Sequence, residues 1–193
     1  MGIPEPELTP KVRQAIMTLM QEVEGLRTEM ERVNSRLAHM ERLADQDTLV
    51  PVPNRRAFVR EMSRVISYNQ RYDAVSSLVY FDLNDFKQIN DKYGHAAGDA
   101  TLMHVAAALT ENLRESDMLG RLGGDEFGVI LSHTDAAQAL EKGRQLAHAI
   151  MAKPVDYEGA KITVTASYGI TTFKPGDSAQ EAMEAADRAM YEQ

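Results

Sequence analysis

Cysteine is absent from this chain, and its absence excludes disulfide cross-links and thiol catalysis. Also missing is any apolar run long enough to span a bilayer. The first residues, Met1-Gly2-Ile3-Pro4-Glu5-Pro6-Glu7, carry no basic-then-apolar targeting segment, so the sequence reads as cytoplasmic. Basic charge is scarce: 21 Lys and Arg stand against 29 Asp and Glu, a formal net charge of −8. That balance argues against broad binding to nucleic acid or to an anionic membrane, and favours a ligand whose phosphates are neutralised by metal. There is no internal repeat and no low-complexity tract. What remains, 193 residues of which 44% are hydrophobic, suits one ordinary domain plus an appendage.

The appendage comes first. From Thr9-Pro10 onward, Val12, Ile16, Leu19, Val23, Leu26, Met30, Val33, Leu37, Met40 and Ala44 follow in alternating steps of four and three, the a/d seam of a heptad. With Ile16, Val23, Met30, Leu37 and Ala44 at a, Arg36 falls at g and Glu41 at the following e, a pairing that suits a parallel two-stranded coiled coil. A lone amphipathic helix on a globular face would show a wider stripe. The expectation is a dimeric coil over residues 1–46 and one domain over 47–193. Asp45-Gln46-Asp47-Thr48-Leu49-Val50-Pro51-Val52-Pro53 reads as the linker, because its two prolines remove backbone donors and bias the residues before them to extended backbone.

Within the domain, Asn54 is placed to cap a helix whose Phe58, Met62, Val65 and Ile66 share a face, and Ser76 to Phe81 reads as a buried strand ending at Asp82. A helix through Leu102, Ala106, Leu109 and Leu113, capped by Asp99, closes at Arg114-Glu115-Ser116-Asp117. Met118 to Leu122 and Val129 to Leu131 form a hairpin, followed by a helix from Asp135 to Ile150. Val155 to Tyr157, a Glu158-Gly159 turn and one alternating strand from Ile162 through Val164 and Ala166 to Phe173 come next. Helices interspersed with strands around a central antiparallel hairpin predict an α+β fold of the ferredoxin-like or polymerase-palm kind.

Two stretches carry chemistry. Gly123-Gly124-Asp125-Glu126 reads as a hairpin tip where glycines permit positive φ and close approach of a ligand, and two carboxylates offer hard oxygen ligands. A solvated turn with acids for solubility explains the same four residues equally well. The segment from Asp82 to Asp99 is too polar to be core filler: Asp82 can take a metal, Lys87 a phosphate, and Asn90 with Asp99 the edge of a purine. Caps, turns and solvated surface remain the alternatives for each.

Gly123-Gly124-Asp125-Glu126-Phe127, with Asp82-Leu83-Asn84-Asp85-Phe86-Lys87-Gln88-Ile89-Asn90-Asp91, Gly94-His95, Gly98-Asp99 and Ala186-Asp187-Arg188-Ala189-Met190-Tyr191, resembles the GGDEF family of diguanylate cyclases from about Asp47 onward. The resemblance implies a ferredoxin-like, palm-type nucleotide cyclase domain that joins two GTP molecules into cyclic di-GMP and releases two pyrophosphates. It implies Asp82, the Leu83 carbonyl and Asp125 as ligands of Mg²⁺ or Mn²⁺, and Asn90, His95 and Asp99 around the guanine and ribose. Lys87 meets phosphate, and Phe86, Gly123 and Gly124 complete the substrate site. Asp125, or failing it Glu126, accepts the proton of the attacking 3′-hydroxyl. Arg114 and Asp117 match the family's RxxD site for inhibition by cyclic di-GMP. A second class, a module that keeps the fold and binds GTP or cyclic di-GMP without turnover, is separated from the enzyme by assay.

Three departures from the family pattern are visible. Val50-Pro51-Val52-Pro53 replaces the usual Thr-Gly-Leu-Pro, altering the expected hinge; Leu122 stands where Tyr is frequent; and the chain stops at Glu192-Gln193, short of a basic segment, which reads as truncation.

Overall fold

The computed structural model describes residues 9–191, with the side chains of 37–39, 41–43 and 191 outside that description. The expectations for Met1 to Glu7, for the end at Glu192-Gln193, for Leu37 in the seam and for the pairing with Glu41 lie outside the described residues. Two compact units form, Met1–Ala44 and Asp45–Gln193.

The first unit is formed by helix α1, Pro10–Asp45. Thr9 closes its first turn, the hydroxyl accepting from the Val12 N–H at 3.3 Å. Val12, Leu19, Val23, Leu26, Met30, Val33 and Met40 are 40–71% exposed, so the apolar row of this helix faces solvent in a single chain.

The second unit runs α2 (Arg55–Tyr72), β1 (Ser77–Leu83), α3 (Phe86–Tyr93), α4 (His95–Glu111), β2 (Met118–Arg121), β3 (Glu126–Leu131), α5 (Ala136–Ala152), β4 (Val155–Tyr157), β5 (Ala160–Ile162), β6 (Ala166–Thr172) and α6 (Ala179–Tyr191). Four strands form an antiparallel sheet in the order β2-β3-β1-β6, the split βαβ arrangement of ferredoxin-like folds; β4 and β5 pair separately. Strand β1 is central and buried on both faces. Val79, Phe81 and Leu83 join Leu102, Val105 and Leu109 of α4 and Leu146 and Ile150 of α5 in one core, while Leu78 and Tyr80 join Phe58 and Met62 of α2 and Met183 and Ala186 of α6 in the other. Asn54 caps α2 as expected, accepting from the Ala57 N–H at 3.1 Å, and Asp135 with Gln138 forms a capping box on α5.

Four local expectations are corrected. The predicted linker is a folded loop: Gln46 bridges Pro53, Asp47 N–H donates to Val52 at 2.9 Å, and Val50 (1% exposed) and Val52 (4%) are buried in the α4/α5 core. Of the altered hinge residues, Val50 and Val52 are therefore core residues, while Pro51 is exposed and Pro53 half-buried. Helix α4 begins at His95 after Gly94, so Asp99 lies inside the helix and does not cap it; it also ends at Glu111, leaving 114–117 as a turn. The strand expected from Ile162 to Phe173 is broken at 163–165, because Thr165 turns to Asn84, accepting from its backbone N–H at 2.9 Å and from its side-chain amide at 3.1 Å. The β2–β3 hairpin forms one side of the sheet rather than its centre.

Candidate functional site

Register places the acids. Asp82, the sixth residue of β1, lies directly opposite Glu126, the first of β3, on the α2/α6 face of the sheet. The Leu83 N–H donates to the Asp125 carbonyl at 3.2 Å, which ties the Gly-Gly turn to the end of β1. Burial, and then the charges of Asp125, Glu126 and Asp187, push the Asp82 carboxyl above its ordinary range. Asp82 and Glu126 thus face each other at one end of the sheet, in the electrostatic field of Asp125 and Asp187.

The turn itself is held by arginines. Arg55 donates to the Leu122 carbonyl at 3.2 Å, and Arg121 donates to the carbonyls of Gly123 at 3.1 Å and Gly124 at 2.7 Å. Arg121 also pairs with Asp47 at 3.0 Å, with both side chains mostly buried. Burial pushes the Asp47 carboxyl up, but the Leu49 and Val50 N–H groups and Arg121 together outweigh it and hold Asp47 below its ordinary range. The folded loop at 46–53 is thus wired directly to the turn.

The reason for Gly123 differs from the one expected. Neither Gly123 nor Gly124 takes a left-handed backbone; a Cβ on Gly123 would overlap the Glu126 carboxylate, whereas Gly124 faces open space. Gly98 plays a similar part. A Cβ there would overlap the Asn90 amide oxygen, lie 2.9 Å from its Cγ and crowd the Phe86 ring at 3.3 Å. The structure thus brings Phe86, Asn90 and Gly98 together where α3 meets α4, with Lys87, His95 and Asp99 exposed on the same two helices.

Arg114 and Asp117 line a separate cavity of about 510 Å³ with His133, Glu141 and Lys142. Among the described residues no ion pair joins the two; Asp117 instead accepts from the Arg114 N–H at 3.1 Å and the Ser132 N–H at 3.4 Å, fixing the turn.

Among the described residues, no group of three or more His, Cys, Asp or Glu side chains is arranged to hold a metal ion, and no helix is long and apolar enough to cross a membrane. The crowding around Asp82 is what a divalent cation relieves, so the donor set fits such an ion. The sequence alone assigns no role to Arg55, Arg121 or Asp187. Asp187 is visible in the sequence only as part of a motif, and its effect on Asp82 comes from the packing of α6 against the sheet.

An antiparallel ferredoxin-like sheet with carboxylates at the Gly-Gly turn defines a palm-type nucleotide cyclase domain. The family described as "Diguanylate cyclase, GGDEF domain" matches residues 44–193, and the chain belongs to it. It is 34% identical over 180 residues to the diguanylate cyclase DgcP of Pseudomonas aeruginosa, covering 91% of this chain and 26% of that protein. It is 33% identical over 175 residues to the diguanylate cyclase TpbB of the same organism, covering 90% and 40%. The chain thus spans less than half the length of these relatives. Among solved structures, the coiled coil and GGDEF domain of DgcB from Caulobacter crescentus in complex with c-di-GMP matches with a TM-score of 0.79 at 26% identity, covering 90% of this chain and 93% of that one. The GGDEF domain of TpbB matches with a TM-score of 0.71 at 34% identity, covering 76% and 86%.

Proposed function

We propose that this chain condenses two GTP molecules into cyclic di-GMP with release of two pyrophosphates, as a homodimer in which each protomer holds one GTP. The observation that carries the reading is Asp82 opposite Glu126 at the end of β1, with the Leu83 N–H tied to the Asp125 carbonyl, beside the arginine-held Gly-Gly turn. Membership of the family, and cyclic di-GMP in the DgcB structure, support it. Residues 1–46 act as the coil and 47–193 as the cyclase domain.

Asp82, the Leu83 carbonyl and Asp125 would hold Mg²⁺ or Mn²⁺ together with the nucleotide phosphates. When bound, the cation neutralises phosphate charge and lowers the pKa of a coordinated hydroxyl. Asn90 and Asp99 give the guanine edge a donor and an acceptor, His95 serves the ribose, Phe86 lines the base side, and Lys87 meets phosphate. Asp125 takes the proton of the 3′-hydroxyl, with Glu126 the second candidate. The 3′-oxygen bonds to the α-phosphorus of the facing GTP as the bond from that phosphorus to the bridging oxygen breaks, and pyrophosphate leaves with the electron pair. The reciprocal step closes the ring. Incubation of the chain with GTP and Mg²⁺ followed by chromatography is expected to give one cyclic di-GMP for two pyrophosphates; GTP recovered unchanged overturns the reading.

Three outcomes follow from the roles assigned. Gly98→Ala forces the Asn90 amide away from its position, and is expected to weaken GTP binding by about 1–3 kcal/mol, the scale of one base contact, with secondary structure retained. Calorimetry with a non-reacting GTP analogue checks it, and unchanged affinity removes Asn90 from the base site.

The solvent-facing row of α1 supports a parallel coil, which acts by raising the effective concentration of the second half-site. A chain starting at Asp47 is expected to lose on the order of 10²-fold in specific activity at low protein concentration and to recover on concentration. Equal activity across a dilution series, with and without residues 1–46, contradicts that role.

Asp117 spends both carboxylate oxygens on backbone N–H groups, so it orders the turn that presents Arg114 to the cavity. Cyclic di-GMP bound there inhibits by favouring a non-facing arrangement of the domains. Arg114→Ala is expected to leave GTP turnover intact and to weaken cyclic di-GMP binding by at least ~1–3 kcal/mol. Identical calorimetric affinity for the two proteins rules the site out.

A further inference from the structure

The registers on the two sides of β1 lay one row across the sheet, with Glu126 of β3 and Ser167 of β6 each directly opposite Asp82. Opposed residues of antiparallel strands project to the same face, so Ser167 flanks Asp82 on the side away from Glu126. Its hydroxyl donates to the Asn84 amide oxygen at 2.8 Å. The nitrogen of that amide donates to the Thr165 hydroxyl at 3.1 Å, and the Asn84 backbone N–H donates to the Thr165 carbonyl at 2.9 Å. Both polar atoms of the side chain and the backbone donor are thus used to bracket the residue that follows Leu83. The bracket falls where the backbone most needs holding. The next residue, Asp85, leads into α3 in the left-handed conformation at φ 56°, which residues other than glycine rarely adopt. Asn84, Thr165 and Ser167 are all exposed, so core packing does not account for their meeting.

We propose that Asn84 is a positioning residue of this site: clamped by Thr165 and Ser167, it fixes the end of β1 from the β6 side, and with it Asp82 and the Leu83 carbonyl. Arg55 and Arg121 hold the Gly-Gly turn on the other side. The proposal rests on the cyclase reading above for the reaction, and on the binding of a nucleotide with its cation for the part that needs no turnover. A polar residue that merely closes a strand acts on stability alone. One that positions the donors of a cation acts on how the site takes that cation. Aspartate at 84 keeps the bracket, because both hydroxyls can rotate to donate to it, whereas alanine loses it.

The test is Asn84→Ala in the full chain, with Asn84→Asp beside it. For Asn84→Ala the Mg²⁺ concentration giving half-maximal rate is expected to rise about tenfold, the low end of what loss of an outer-shell partner of a metal costs, with the KM for GTP at saturating Mg²⁺ changed by less than about twofold. By calorimetry, Mg²⁺-supported affinity for a non-reacting GTP analogue falls about tenfold, while binding of the analogue without Mg²⁺ is unchanged. Asn84→Asp is expected to stay within about threefold of the unaltered chain in both assays. Thr165→Val with Ser167→Ala strips the bracket without touching Asn84, so the pair is expected to reproduce the Asn84→Ala shift, and adding Asn84→Ala to it to cost little more. Unchanged Mg²⁺ dependence in Asn84→Ala, a loss confined to melting temperature, or an Asn84→Asp chain no better than Asn84→Ala overturns the proposal. Where Asn84→Ala does not fold, the Thr165 and Ser167 pair decides by the same two assays. If the unaltered chain binds the Mg²⁺-supported analogue but makes no cyclic di-GMP, the cyclase reading fails and the calorimetric arm alone decides the role of Asn84.

Discussion

Asp82→Asn is expected to abolish cyclic di-GMP formation, by more than about 100-fold, because loss of even an outer-shell partner of a metal costs 10–100-fold and a neutral amide is a poor direct ligand. The same substitution is expected to stabilise the fold when no divalent cation is present. Burial first, and then Asp125, Glu126 and Asp187, raise the folded pKa of Asp82 above its unfolded value of 3.8. A carboxyl shifted this way binds its proton more tightly when folded. Its contribution to stability is therefore lost as pH rises through the folded pKa, and at neutral pH its charge opposes folding. Asn carries no such charge. The melting temperature of the variant should exceed that of the unaltered chain at pH 7 in chelator, the gap should narrow as pH falls toward the unfolded value, and added Mg²⁺ with GTP analogue should restore the advantage of Asp82. Turnover by Asp82→Asn at the unaltered rate, or a lower melting temperature in chelator at pH 7, contradicts the account.

The largest effect on stability is expected at Gly169, far from any predicted site residue in sequence. A Cβ there would overlap the Ala186 carbonyl oxygen and lie 2.6 Å from the Met190 nitrogen, both backbone atoms of α6. Backbone cannot swing aside as a side chain can. The helix would have to lift, and with it Ala182, Met183 and Ala186 from the core shared with Phe58 and Met62. Gly169→Ala is expected to cost roughly 3 kcal/mol or more, at the upper end of overpacking, and to lower activity even where the chain is folded, because Asp187 moves with the helix. Gly124→Ala, facing open space, is expected to change stability by less than about 0.5 kcal/mol. Denaturant unfolding of the two variants checks the contrast, and equal midpoints would contradict it.

Much of this architecture was legible in the residues, and the parts that were not share a cause. The Asn54 cap and the helix after Asp135 depend on neighbours within one turn, and both stand as read. The break at 163–165 was hidden because Ile162, Val164 and Ala166 keep the two-residue period, and Val164 is indeed buried although the chain there is not a strand. Only Asn84, about eighty residues away in sequence, explains the interruption. The loop at 46–53 resembles a linker in sequence because its two prolines favour extended backbone, while the burial of Val50 and Val52 depends on distant helices. In the site, the types of the acids were legible but their partners were not. Asp82 and Glu126 meet through the β1–β3 register, Asp187 arrives on the last helix, and Arg121 reaches back to Asp47. Glycine at 123 was read as backbone freedom and proves to be room for a carboxylate.

The central claim is that the reaction is made between two chains, each supplying one half-site. It is tested most directly on a mixed dimer of one unaltered chain and one Asp82→Asn chain, isolated through two different affinity tags after co-expression and assayed with GTP and Mg²⁺. The account predicts cyclic di-GMP formation lower than that of the unaltered dimer by about the same factor, roughly 100-fold or more, as in the fully substituted dimer. A mixed dimer that makes cyclic di-GMP at half the unaltered rate would show each chain working alone.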